Sequence, residues 1–165
     1  MQIRLPLAIV LVALATAVVL PASASASDQS VWNAYAHSSS TAKLRKAVKK
    51  FSRAFKRLSQ KTTNHRLAVA GKASRRLAKA AAANRRAIKR EDASSDDGAR
   101  GRSLLLKALA FVRKGALLAR DGVKAGQHQN YGRANRLFKR GSRALKKANR
   151  YQERGEKAMA AGIEP

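Results

Sequence analysis

At 165 residues the chain is one domain's worth, and it carries 36 Lys and Arg against 9 Asp and Glu with no cysteine. Without cysteine, disulfides and a lipid anchor on a cleavage-site thiol are excluded, so packing alone must hold the fold. A net charge of +27 bears on partners and solubility, because self-repulsion on this scale strains a compact state unless anions relieve it.

The N-terminus has Arg4 as its only charged side chain, then a neutral, mostly apolar run from Leu5 to Leu20, then Pro21 and Ala22-Ser23-Ala24-Ser25-Ala26. Basic start, apolar middle and A-x-A end form the pattern of a secretory signal peptide. Residues 1–26 are therefore expected to be removed on export, with cleavage after Ala24 or Ala26, leaving a secreted or extracytoplasmic (periplasmic or wall-associated) protein. As a membrane anchor the run is short, since sixteen residues rise about 24 Å against an apolar bilayer core of about 30 Å. Later in the chain no segment is apolar enough to span. Only Arg4 of the 36 basic residues lies in the signal, leaving 35 against 9 and a net of +26.

The prolines are Pro6, Pro21 and Pro165, so none interrupts the remaining domain. Alanine, leucine, lysine and arginine dominate it, and these are strong helix formers. Residues 27–41 read as a short helix and a linker. Val31, Trp32 and Tyr35 share a face from Asp28 to about His37, and Ser38-Ser39-Ser40-Thr41 offers a choice of N-caps. Residues 42–165 read as the basic helical domain. Its first long helix, about Ala42 to Ser59, places Leu44, Ala47, Val48, Phe51, Ala54, Phe55 and Leu58 at helical spacing. Thr62-Thr63-Asn64 breaks it and caps the second, about His65 to Arg90. The second helix's expected apolar face runs through Leu67, Ala70, Ala73, Leu77, Ala80, Ala81, Ala87 and Ile88.

Glu91 to Gly98 separates the halves. Ser94 and Asp97 fit a capping arrangement, and Asp96 and Asp97 suit a helix start. The alternate acidic ligands and distal Glu of a calcium loop are missing. A third helix is expected to run to Arg120, with Gly122 and Gly126 near its end, where glycine serves as a left-handed cap. A fourth starts near Asn130 and can continue to Ala161. The fold class is thus all-α, about four main helices in two antiparallel hairpins forming a bundle.

Small residues recur every seven positions, as Gly101, Ala108, Gly115 and Gly122, and again as Ala134, Gly141, Ala148, Gly155 and Gly162. Ala47 with Ala54, and Ala73 with Ala80 and Ala87, repeat the pattern. A heptad keeps one seam facing a partner helix, and glycine within a helix costs about 1 kcal/mol relative to alanine. The seams therefore point to closely approaching backbones. From Gly122 to Gly141 the chain also resembles a tetratricopeptide hairpin, with Gly122, Tyr131, Ala134 and Phe138 at that spacing. The resemblance covers about one repeat and its 34-residue period is missing elsewhere, so it reads as generic helix packing.

No constellation for catalysis stands out. His37, His65 and His128 are far apart and lack a second ligand-type residue one turn away. Neither a nucleophile elbow nor a phosphate loop is present. The expectation is a non-enzymatic protein without cofactor, catalytic residues or metal.

Basic residues instead form rows. The candidate anion-binding set is Lys49, Lys50, Arg53 and Arg57 on the first long helix, then Arg75, Arg76, Arg85 and Arg86 on the second. Arg136, Arg140, Arg143 and Lys147 complete it on the fourth. Few have an acidic neighbour, and such rows suit dense negative charge bound by counterion release. The expected partner is an anionic envelope or extracellular polymer. Sequence-specific nucleic-acid reading is not expected, since aromatics that stack on bases are only 5% of residues. The alternatives are a helical protein-interaction domain using the small-residue seams with incidental charge, or a membrane-active cationic protein. Trp32 and Tyr35 would be the interfacial anchors of the latter, although packing on the bundle is the reading preferred.

Overall fold

The computed structural model describes residues 26–161, which are all-helical: α1 (Ala26–Ala36), α2 (Ser39–Gln60), α3 (Asn64–Lys89), α4 (Asp96–Gln127) and α5 (Tyr131–Ala161). The segment read as a signal peptide lies outside the described residues except for Ala26, as does Gly162.

Side-chain caps set most of the breaks. Thr41 N donates to Ser38 Oγ at 3.3 Å, Arg66 N to Thr63 Oγ1 at 3.2 Å, Gly98 N to Ser95 Oγ at 2.9 Å and Arg133 N to Asn130 Oδ1 at 3.1 Å. Three expectations shift. The linker contracts to His37 and Ser38, because Ser38 is itself the cap and Ser39 to Thr41 are already helical. The cap of α4 is Ser95, one residue beyond Ser94, whose own N–H donates to Asp28 of α1 at 2.9 Å. Gly122 and Gly126 do not end their helix: both are buried inside α4, which runs on to a C-cap at His128. The left-handed residue after it is Gln129, with φ 57°.

The continuity of α4 follows from what its glycines face. A Cβ on Gly101 would meet Met159 Cγ at 2.6 Å, one on Gly115 would meet Leu145 Cγ at 2.8 Å, and one on Gly122 would meet Phe138 Cε1 at 2.7 Å. From the other side, a Cβ on Gly155 would lie 3.0 Å from Leu105 Cδ2 and one on Gly141 only 3.2 Å from the carbonyl oxygen of Gly115. Each step forward along α4 is a step back along α5, so the two run antiparallel with a large residue of one set into a glycine gap of the other. This is the heptad seam legible in the sequence, and α5 continues unbroken to Ala161 as its own share of that seam requires.

The seven apolar residues expected on α2 are all buried. Phe55 meets Phe138 of α5 edge-on at 5.8 Å between ring centroids. On α3 the face is rotated slightly from expectation. Ala80 and Ala87 are half-buried, while Ala78, Ser74 and Asn84 are buried. Polar groups enter that face because each is hydrogen-bonded. Ser74 Oγ donates to Ala70 O at 2.8 Å, and Asn84 Nδ2 donates to Thr41 Oγ1 at 2.6 Å and Ser40 Oγ at 3.1 Å on α2. That bond also fixes direction, since the end of α3 lies beside the start of α2.

The starts of α2 and α4 and the ends of α3 and α5 thus meet at one end of the molecule, and α1 closes that end. Val31, Trp32 and Tyr35 are at most 2% exposed, so Trp32 and Tyr35 are core residues here. The fully buried Asp28 accepts from Ser94 N and Ser95 Oγ at the head of α4. Tyr35 O–H donates to Glu156 of α5 at 2.7 Å.

Candidate anion-binding surface

Of the twelve basic residues singled out from the sequence, eleven are exposed: Lys49, Lys50, Arg53, Arg57, Arg75, Arg76, Arg86, Arg136, Arg140, Arg143 and Lys147. They stand opposite the apolar faces of α2, α3 and α5, as amphipathic spacing requires. Lys147 in addition holds its ammonium 5.9 Å from the Phe111 ring centroid, beside the Phe111–Tyr151 stack. Arg85 departs from the pattern. It is half-buried, and its Nε donates to the carbonyl of Leu106 on α4 at 3.3 Å, so its position on the flank facing α4 makes it a fastener between helices.

Two further arginines act on carbonyls. Arg66 Nη1 donates to Arg57 O at 2.7 Å near the end of α2, and Arg102 Nη2 donates to Lys89 O at 3.1 Å at the end of α3. Arg57 O also accepts from Lys61 N at 3.3 Å, so Arg66 adds a second donor there, while Arg102 supplies Lys89 O in the last turn of α3, where helix carbonyls lose their intrahelical partners. Among the described residues the ion pairs are Arg102–Asp92 at 3.7 Å and Arg120–Asp121 at 2.8 Å, and neither uses a candidate residue.

The structure brings only some candidates together. Lys50 of α2 and Arg76 of α3 line one groove of about 460 Å³ between these helices, joined there by Lys43, Lys46 and Lys79. Its remaining lining is Ala47, Ala80 and Ala83, so five cations overhang a floor of methyl groups with no carboxylate among them. Lys49 lies in a second hollow of about 420 Å³ that also takes in Arg45, Lys46 and His37 at the junction of α1 and α2. Arg136, Arg140 and Arg143 form a separate stripe on α5. The candidate set left out Lys43, Lys46 and Lys79, because a helical row shows one helix at a time. The signal that could have found them is the pair of seams, with Ala47 and Ala80 as the small residues that let α2 and α3 approach and bring their flanking lysines to one groove.

A half-buried carboxylate on α5 is also engaged. Glu156 accepts from Tyr35 O–H and from Gln152 Nε2 at 3.0 Å. Burial first, and the Glu156 charge second, push the Tyr35 phenol far above its ordinary range, while Arg45 pulls the other way. A phenol held neutral this firmly is a structural donor, its proton directed at the Glu156 carboxylate.

No helix among the described residues is long and apolar enough to cross a membrane. No protein-family model, curated protein or solved structure matches the chain, including over the stretch that resembles a tetratricopeptide hairpin.

Proposed function

We propose that this chain is an exported, non-enzymatic protein, two antiparallel helical hairpins behind a cleaved signal peptide, that binds anionic envelope or extracellular polymers by electrostatics. The observation that carries the reading is the five-cation groove between α2 and α3, built without a carboxylate in a molecule whose described residues form two ion pairs. Folding gathers like charges there instead of pairing them, at a cost of a few tenths of a kcal/mol for each like-charge neighbour on a helix. An anion bound across them offsets that cost. Against the interaction-domain alternative stands the use already made of the glycine seam, since Gly101, Gly115, Gly122, Gly141 and Gly155 are packed between α4 and α5. Little of that seam is left to offer a second protein.

The test is binding of labelled single-stranded DNA and of an anionic wall polymer by the purified protein over a salt series. Affinity should fall with a log–log slope of several units, at about 0.7 per phosphate neutralised for a single strand. Binding that ignores salt, or no binding at low salt, overturns the proposal.

A further inference from the structure

The geometry points to a particular occupant for the α2–α3 groove: one extended strand of a linear phosphate-repeat polymer, recognised through its phosphates alone. The inference rests on the proposed polyanion binding and narrows it to one site and one ligand chemistry. Three features of the groove carry it.

The first is arrangement. Lys43, Lys46 and Lys50 follow one edge of α2 and span about 10.5 Å along its axis at about 1.5 Å per residue. Arg76 and Lys79 stand on the opposite bank, and Asn84's bonds to Ser40 and Thr41 fix the helices side by side in opposite directions. The cations therefore form a two-sided track with its length parallel to the helices. A ligand with a charge every few ångströms along a line can meet several of them at once, whereas a single small anion meets one or two.

The second is width. Packed helices lie about 8–10 Å axis to axis, at the short end where small side chains meet, and here the floor is Ala47, Ala80 and Ala83. A trough between helices that close admits one chain. A nucleic-acid duplex could touch only its rims.

The third is what the lining leaves out. No aromatic ring, hydroxyl or amide side chain is among the eight residues around the groove. Bases are held on single-strand binding surfaces mainly by stacking on aromatic rings, and the hydroxyls of a sugar chain need acceptors as well as donors, whereas lysine and arginine supply donors alone. Such a lining reads charge and little else, which favours a polymer whose every unit carries a phosphate. Phosphate offers several oxygens to each ammonium and lets Arg76 bind in fork geometry.

The experiment uses inorganic polyphosphate of defined chain length as probe, with a linear polycarboxylate of equal charge as the competing chemistry. Fluorescence anisotropy at fixed low salt would compare the unaltered protein with Lys46→Ser/Lys50→Ser/Lys79→Ser in the groove and with Arg136→Ser/Arg140→Ser/Arg143→Ser on α5. Both triples remove three charges from exposed positions, so non-specific attraction falls equally. The groove triple should weaken polyphosphate binding at least about tenfold and lower the salt slope by about 2, at about 0.7 for each of three cations. The α5 triple should cost about threefold or less. Replacing the three groove lysines by arginine should restore binding, which separates lost charge from lost fold. Equal losses from the two triples, or a polycarboxylate that binds as tightly as polyphosphate, overturn the groove inference while leaving general polyanion binding intact. Absence of salt-sensitive binding to either probe overturns both.

Discussion

Gly141 shows how much a single position here depends on a missing side chain. A Cβ there would sit 3.2 Å from a backbone oxygen, that of Gly115, and 3.5 Å from Leu118 Cβ. A flexible side chain can turn aside, but a backbone carbonyl in mid-helix cannot do so without moving α4. Gly141→Leu should therefore lower stability by about 1–3 kcal/mol, as overpacking does, despite leucine's better helix propensity of somewhat under 1 kcal/mol. A thermal melt followed by circular dichroism checks it, and an unchanged or raised midpoint would show that α4 and α5 are not in close approach at this point. The seven-residue spacing made this position legible in the sequence. The fate of Gly122 was not, because a glycine near an expected helix end and a glycine against a phenylalanine look alike until the partner is placed. The contact Arg85 makes was hidden for a related reason: its spacing matches its exposed neighbours, and only the position of α4 shows that its guanidinium has a carbonyl to reach.

At the scale of the element, α1 is the helix whose role was least legible. Its eleven residues put Val31, Trp32 and Tyr35 on one face, and the sequence favours packing of that face on the bundle without indicating a partner helix. Val31, Trp32 and Tyr35 belong to the main core, and the helix is pinned at both ends by polar groups, Asp28 to the head of α4 and Tyr35 to Glu156 of α5. Pairings over 66 and 121 residues of sequence have no local signature. The four long helices, by contrast, declared themselves through periodicity and caps, which act within a few residues. The Tyr35 tether gives α1 a testable pH signature. Its phenol holds its proton in the folded state well above the ordinary value of about 10. Folding stability from this group is therefore complete below pH 10 and is lost above it, as the unfolded chain sheds the proton that the folded one keeps. Tyr35→Phe should cost about 0.5–1.5 kcal/mol near neutrality for the lost hydrogen bond, and its stability should no longer carry that alkaline decline. Urea titrations of both proteins from pH 8 to 11 give the difference directly, with lysine titration common to the pair. Parallel curves above pH 10 would mean that Tyr35 reaches solvent through a loosened α1.

For the whole molecule the governing quantity is charge, and folding makes it denser. The exposed rows on α2, α3 and α5 were visible from composition and spacing. What the sequence could not show is that two rows converge on a single groove while helix-end carbonyls take up Arg66 and Arg102. The described residues hold 35 Lys and Arg and two ion pairs, so most of the repulsion is relieved only by solvent ions. Compaction brings these charges nearer together than in the unfolded chain, and the folded state is the one that low salt penalises more. Raising salt from 0.01 to 0.1 M cuts the screening length from about 30 to about 10 Å. The melting temperature should accordingly rise over this range. A polyanion should raise it further in low salt, because a ligand that prefers the folded state stabilises it by mass action, by about 2.7 kcal/mol at a free concentration one hundred times the dissociation constant. The increments should not add, since counterions released into a more concentrated salt solution gain less entropy and the polymer binds more weakly there. Thermal melts in a two-way grid of salt and polyphosphate test both statements. Full additivity would mean that the polymer acts through contacts other than charge. A midpoint unmoved by either would mean that the cations are too dispersed to strain the fold, and the electrostatic reading of this surface would fall with that result.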